Sequence, residues 1–530
     1  MKWLLMFCLA VIPVSAAESE AEPALALPDY DLTQLRMEIK DFDRAIESIY
    51  YFNDAYGTEV DSELVYKLHP GLWTDTRAIK LVQGELGKAT EPRQQQILHN
   101  LNKAVSDMWL WRKVTPIDDE ILNTEANATV DIDGKSYSYR DLGVYSYNEK
   151  DATKRKQYYY AGLGVVRDQL NPLYLRKSQQ LSANARELGY KDYSDYVEKI
   201  KGYNFAKWDK DCRGILEETK SMMRNLTLEE LHAAYPGRSP ATVMPWDREG
   251  ISRHAEYDKY FPKEKLITFF KQIVGGMGID LTKYPNIWVD DVDRPTKGGR
   301  PATYIVVCPN DIRVNIKLYG GATDYTSVFH EMGHALHYAN TEVPEYELQA
   351  YGDGGLTESY AFLMESLLGD PVFLEEEIGM PAKEAKKFAR LSLLGNLSSF
   401  RYYCHNFLYE NYLHQEKPKP EDYYASIVKK DAIYPVLPES ITYSYLSGDE
   451  QFYGLYYLEA WFTEAVLANY LEKNFGRRWW KDARSGDFLR GLWHRGEEIN
   501  CTELCQQLGE PQFGYKEALG RMVDMEKATR

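Results

Sequence analysis

The residues best suited to chemistry are His330-Glu331-Met332-Gly333-His334. Two residues four apart on a helix share a face and are separated by about 6 Å of rise. Imidazoles at His330 and His334 can therefore converge on one tetrahedral Zn²⁺ at roughly 2.0–2.1 Å each. Glu331, next to the first imidazole, can reach a water at such an ion and take its proton. The plain alternative is a pair of His hydrogen-bonded within a helical core. With ten His in the chain, the pattern arises by chance in roughly one or two such sequences per hundred, so the reading depends on what else comes into position.

A third zinc ligand must come from another element. Glu358 lies twenty-four residues after His334, within GGLTESYAFLMESLLGD. Gly354 and Gly355 suit a turn into this segment, and Thr357 can cap it. Glu365 is seven residues beyond Glu358, on the same helical face. It can hold a ligand His by the second ring nitrogen, or it can be a solvated or capping carboxylate. His337 competes as a ligand but lies about 10.5 Å along the helix from His330. That is too far for two side chains of one rigid helix to share an ion, so His337 is expected to pack or to support a ligand.

These groups need rigid elements. Thr323 or Asp324 can cap a helix whose apolar face is Val328, Phe329, Met332, Leu336 and Ala339, with Pro344 beyond its end. Just upstream, Thr303 to Cys308 is rich in β-branched residues, and Pro309-Asn310-Asp311 makes a turn. Ile312, Val314, Ile316 and Leu318 then alternate with Arg313, Asn315 and Lys317. That alternation predicts a half-buried strand and so a β-hairpin before the zinc helix. Elsewhere the spacing is helical: Leu32 to Asn53 (Leu35, Ile39, Phe42, Ile46, Ile49), around 158–190, 260–275 and 383–413, and Glu459 to Phe475, stopped by Gly476.

The formal net charge of -17 argues against nucleic acid and anionic membrane as partners, since both need basic patches. The N-terminus has one Lys, an apolar run from Trp3 to about Val14, then Ser15, Ala16 and Ala17. This reads as a secretory leader cut near Ala16 or Ala17, and the run is too short to span a membrane. The expectation is a leader over 1–17 and one helical unit over 18–530, periplasmic or secreted, with no membrane segment after cleavage. The remaining Cys (Cys212, Cys308, Cys404, Cys501, Cys505) are odd in number and widely scattered, so structural packing is the default. The 42 Tyr and 11 Trp mostly pack, but such rings also suit the walls of a peptide cleft.

The run DIRVNIKLYGGATDYTSVFHEMGHALH, followed by TESYAFLMESLL, resembles the thimet oligopeptidase and oligoendopeptidase F family of gluzincin metallopeptidases. Angiotensin-converting enzyme shares the HEMGH form, the interval to the Glu and a strand like YIVVC. RELGYKDYSDYVE (Arg186 to Glu198) is similar to a segment both carry upstream, and DEQFYGLYYLEAW with FLRGLWHRGEEINCTELCQQLGEP looks like the end of such a domain. The resemblance runs from about Leu181 to the C-terminus. It implies a mainly α, two-lobed helical fold with a deep central channel and a small β-sheet near the site, whose core is about 300–370. It also implies one Zn²⁺ on His330, His334 and Glu358, oligopeptide substrates along the 303–318 hairpin, and Glu331 as general base.

In both families Tyr and His side chains well downstream stabilise the oxyanion. Tyr453 and Tyr456 reproduce the Tyr-x-x-Tyr spacing, Tyr456 being preferred. No His lies between His414 and His494, and the families' donor His falls at about Tyr443 to Tyr445. The segment also lacks the Lys with which the converting enzyme binds a terminal carboxylate, which favours endo-acting cleavage. The alternatives are a peptidyl-dipeptidase of the converting-enzyme type and a catalytically silent peptide-binding protein.

Overall fold

A computed structural model describes residues 31–299 and 301–530. The leader read at 1–17 lies outside them, as does the side chain of Tyr443. Helices dominate, as expected. Helix α1 (Leu32–Tyr56) starts on an Asp31/Gln34 capping box and ends at Gly57, whose φ of 70° suits a residue without a Cβ. It buries Leu35, Ile39 and Phe42, the first half of the apolar stripe read from the sequence. With neighbouring N-terminal helices it forms an apolar cluster of its own, around Leu98, Val105 and Trp109.

Two short strands, β1 (Thr129–Ile132) and β2 (Lys135–Ser138), form an antiparallel hairpin. The second sheet matters for the site. It contains β3 (Ile287–Asp290), β4 (Ala302–Val307) and β5 (Asp311–Asn315), in the order β3-β5-β4. The predicted hairpin is the antiparallel β4–β5 pair, with Thr303 opposite Val314 and Ile305 opposite Ile312. Two points differ from expectation. The parallel strand β3 was not foreseen, because four residues with an exposed Trp288 carry no clear period. The second hairpin strand stops at Asn315 rather than running to Leu318, and its polar side is not solvated. Asn315 is fully buried and donates from Nδ2 to Asp54 Oδ2 of α1 at 2.7 Å. A helix covers the face that alternation assigned to water.

The opposite face of β5, through Ile312 and Val314, packs in one cluster with Val328, Phe329 and Met332 of helix α2 (Ala322–Ala339). Helix α3 (Gly354–Ser366) crosses beneath α2, and helix α5 (Gly454–Phe475) lies against α3. Helix α4 (Ala382–Leu413) and helix α6 (Lys516–Ala528) pack on α5 in turn. Helix α5 stops at Gly476 as expected, with φ 87° there, but begins at Gly454, five residues earlier than the apolar pattern suggested. The helix expected over 260–275 starts only at Leu266, after two 3-10 turns separated by Pro262. Among the described residues no helix is long and apolar enough to cross a membrane, and the five described cysteines are buried and unpaired.

Candidate metal centre

Helix α2 carries His330, Glu331 and His334, and α3 carries Glu358 and Glu365. The helices cross closely because Gly333 lacks a side chain. A Cβ built there would lie 2.6 Å from Ala361 Cα and 2.9 Å from Tyr360 O. Gly354 and Gly355 serve α3 in the same way. They are not turn residues but its first two positions, where Cβ atoms would meet the Tyr456 ring at 3.2 Å and Glu459 Cβ at 2.8 Å. The cap of α3 is Asp353, which accepts from Gly355 N, and not Thr357. Helix α2 likewise begins before Thr323 and Asp324, on Gly321. Asp324 accepts from Gly320 N instead of capping.

This packing places three donor atoms together. His330 Nε2 lies 3.3 Å from His334 Nε2 and 3.3 Å from Glu358 Oε2. His334 Nε2 is 3.4 Å from the same oxygen. Donors bound to zinc at about 2.0–2.1 Å in a tetrahedron are separated by about 3.3–3.4 Å. Among the described residues this is the group of His, Cys, Asp and Glu side chains whose donors converge in a way that suits a metal ion. Glu358 is 3% exposed, and its Oε2 is left to the two imidazoles, 3.3 and 3.4 Å away. A buried carboxylate oxygen facing two imidazole nitrogens requires a cation.

The electrostatics express the same demand. Burial lowers the pKa of His330, but hydrogen bonds to Glu358 and Glu365 more than reverse this, to about 10. Burial raises that of Glu358, yet the charge of His334 and its bonds to both imidazoles carry it far below the ordinary carboxylate range. Positive charge belongs at this point, and a proton or a metal ion can supply it. His337 is different. It is fully buried, its Nε2 lies 3.2 Å from Gly496 O, and burial pushes its imidazole down to about 3. It packs and does not join the donor set.

Second partners orient both imidazoles. Glu365 Oε2 is 3.0 Å from His330 Nδ1, which keeps the proton on Nδ1 and leaves Nε2 free to ligate. Thr357 Oγ1 lies 2.9 Å from His334 Nδ1. Sequence reasoning offered Thr357 only as a cap, although its place next to Glu358 was the available signal. Thr303 of β4 was not singled out at all. Its Oγ1 is 2.8 Å from Glu331 Oε2 and 2.9 Å from Glu331 O, so one hydroxyl ties the edge strand to the candidate base.

The two tyrosines part company. Tyr453 precedes α5 and donates to Glu358 Oε1 at 2.8 Å. Burial and the charge of Glu358 push its phenol well above the usual range. Tyr456, the preferred donor on sequence spacing, turns away: its ring sits against Gly354, under Lys201 Nζ at 4.9 Å and beside Tyr203. Tyr457, not considered from sequence, faces the cleft with Tyr453. Three residues along the chain suffice to swing a ring from the site to the packing behind it.

The cleft over these groups has a volume of about 370 Å³. Its walls include Asp54 of α1, Pro301, residues 302–305 of the edge strand, Tyr338, and Tyr453 and Tyr457 of the α5 region. The whole architecture matches solved structures. One is a 3.1 Å crystal structure of a provisionally assigned oligoendopeptidase F, similar at TM-score 0.69 over 96% of this chain and 98% of that one, with 14% identity. The fold is that of oligoendopeptidase F. A second structure, a provisionally assigned oligoendopeptidase F from Bacillus anthracis str. Ames, gives TM-score 0.65 over 96% and 97% of the two chains, again at 14% identity. No family model matches the chain, and no curated protein does. At this identity the likeness is one of fold.

Proposed function

We propose that this chain is a zinc-dependent metallopeptidase that hydrolyses peptide bonds within oligopeptides, with Glu331 as general base and one ion held by His330, His334 and Glu358. The observation that carries the reading is the set of three donor atoms at mutual distances of 3.3–3.4 Å, with Glu331 in the same cleft. When bound, the ion supplies Lewis acidity, lowering the pKa of a water to about 7 and polarising a carbonyl. The protein does the rest. Glu331 takes the proton of the attacking water and delivers it to the leaving amine nitrogen. Thr303 holds the Glu331 carboxylate in place, and Tyr453, whose side chain lines the same cleft, is the candidate hydroxyl donor to the oxyanion.

The substrate runs along β4. Among the described residues that strand pairs only with β5, so its outer edge can take an extended peptide by main-chain hydrogen bonds. One outer amide, Ile305 N, meets Glu47 Oε2 at 3.2 Å. The reading takes residues 18–530 as one catalytic unit, exported by the leader at 1–17; N-terminal sequencing of the mature protein would test the cleavage near Ala16 or Ala17.

The deciding experiment compares wild type and Glu331→Gln on a quenched oligopeptide library, with zinc content measured on both. A variant that keeps its zinc and loses roughly a thousandfold or more in rate is the expected result. Undiminished cleavage would remove Glu331 from the mechanism. Zinc binding without cleavage of any library member by wild type would favour the silent peptide-binding alternative. The peptidyl-dipeptidase alternative needs a cation for the terminal carboxylate, and no Lys or Arg is among the described residues that line the cleft. A C-terminally amidated peptide separates the two, since it stops a dipeptidase but not an endopeptidase.

A further inference from the structure

Behind the metal centre lies a second cavity, of about 310 Å³, between α3, α4, α5 and α6. It falls within the size range of small-molecule sites, about 300–1,000 Å³. Its walls are largely apolar and aromatic, with Phe362, Leu393, Trp461, Trp480 and Met522. The polar groups are uneven. Its two arginines are already engaged: Arg477 with Asp370 and Glu472, and Arg521 with Glu472. Asp524 is paired with Lys527. Glu464 is left over. It is 8% exposed, and its Oε1 has no hydrogen-bond partner. Burial pushes its carboxyl up against the pull of Arg521 and Ser366, and the charges of Glu472 and Glu365 add to the rise.

Glu365 faces the same space. It lines this cavity and not the cleft over the zinc ligands, and its side chain is 24% exposed. Its Oε2 holds His330 Nδ1. Phe362 is the partition, 5.4 Å from the His330 ring on one side and 4.7 Å from Trp461 on the other.

We propose that this cavity is a binding site for a small organic amine with an apolar or aromatic body, its ammonium group placed at Glu464 and toward Glu365. An ammonium gives Glu464 the donor it lacks, and the rings receive the body, with cation–π attraction from Trp461 and Trp480 added. An anion would be repelled by the Glu464 carboxylate, and a neutral donor would answer it more weakly than an ammonium does. Through Glu365 the occupant draws on the carboxylate that orients a zinc ligand, so amine and zinc weaken one another. The site itself stands apart from the peptidase reading; the link to zinc rests on it.

The test titrates 2-phenylethylamine, and 2-phenylethanol as its uncharged counterpart, into the full chain with and without zinc. The amine is expected to bind about tenfold or more tightly than the alcohol, and Glu464→Gln to erase that difference. Equal affinity for the two probes overturns the proposal. So does amine binding that survives Glu464→Gln unchanged, which would put the amine among the carboxylates of the cleft. Ala468, buried in the cavity wall, offers a second variant: Ala468→Leu fills the space and should remove binding of both probes. It decides alone if Glu464→Gln does not fold. Chelator competition at saturating amine should show zinc affinity reduced severalfold, with amine affinity reduced by zinc to the same extent. Unaltered zinc affinity overturns the link through Glu365. A chain that takes the amine but no zinc would sink the metal reading and leave this site in place.

Discussion

Replacing Gly333 by Ala should damage the metal centre without touching a ligand. The new Cβ would sit 2.6 Å from Ala361 Cα and 2.9 Å from Tyr360 O, both main-chain atoms. Carbon atoms in contact prefer about 3.5–4.0 Å, so α2 and α3 must part by about 1 Å. Overpacking of this kind costs about 1–3 kcal/mol, and the better helix propensity of Ala returns up to ~1 kcal/mol. A net loss of about 1–2 kcal/mol is therefore expected in the zinc-free protein, read as a lower denaturant midpoint. The effect on zinc is larger. A metal site tolerates errors of about 0.2 Å in ligand distance, so a 1 Å separation withdraws Glu358 from the two imidazoles. Zinc affinity, by chelator competition, should fall beyond the roughly 10–100-fold that losing an outer partner costs. Gly395→Ala is the control, because nothing lies within 4 Å of the Cβ added there on α4. It should be neutral or stabilising by up to ~1 kcal/mol. If Gly333→Ala binds zinc as tightly as wild type, the helix crossing does not set the donor geometry and the argument fails.

Glu365→Gln should weaken zinc binding by roughly 10–100-fold, because the neutral amide no longer supports the Nδ1–H of His330 as a carboxylate does; an unchanged dissociation constant would remove Glu365 from the site. Tyr453→Phe should lower kcat by about 10²–10³ if its hydroxyl meets the oxyanion, whereas Tyr456→Phe, with its ring packed on Gly354, should stay near wild type. The reverse ranking in steady-state rates would restore the preference drawn from sequence spacing. Burial, with the charge of Asp43, pushes Glu47 from 4.5 up to about 7. The folded chain then keeps a proton that the unfolded chain releases, so stability should decline as pH rises from about 4.5 to about 7. Asp43, raised by burial from 3.8 to about 6, adds a decline in the lower part of that range. Comparing Tm at about pH 5 and about pH 7.5, the drop should be smaller in Glu47→Gln. An equal drop in both proteins would rule out Glu47 as its source.

Much of this chain is legible one element at a time. The four-residue interval of His330 and His334 becomes a shared helical face by local geometry alone, and the β4–β5 pair shows itself by period-two alternation and a turn. The apolar stripe of α1 and the Gly476 stop of α5 are equally local. Helix α3 is also visible in outline, so Glu358 can be nominated as a ligand from its interval and from resemblance. What these signals share is that a few neighbouring residues set each of them.

Tertiary packing decided the remainder, because convergence depends on how elements approach and not on their periods. Gly333 reads as one more helical residue until Ala361 is found beneath it. Thr357 reads as a cap until the crossing turns its hydroxyl onto His334 Nδ1, and Thr303 as a β-branched strand residue until α2 brings Glu331 beside it. Tyr453 and Tyr456 have the same spacing credentials, but only the one just before α5 reaches Glu358. Asn315, assigned to water by alternation, is sealed under α1. Chain periodicity specifies which faces must be buried; it does not say against what, and at this site the partner determines the chemistry.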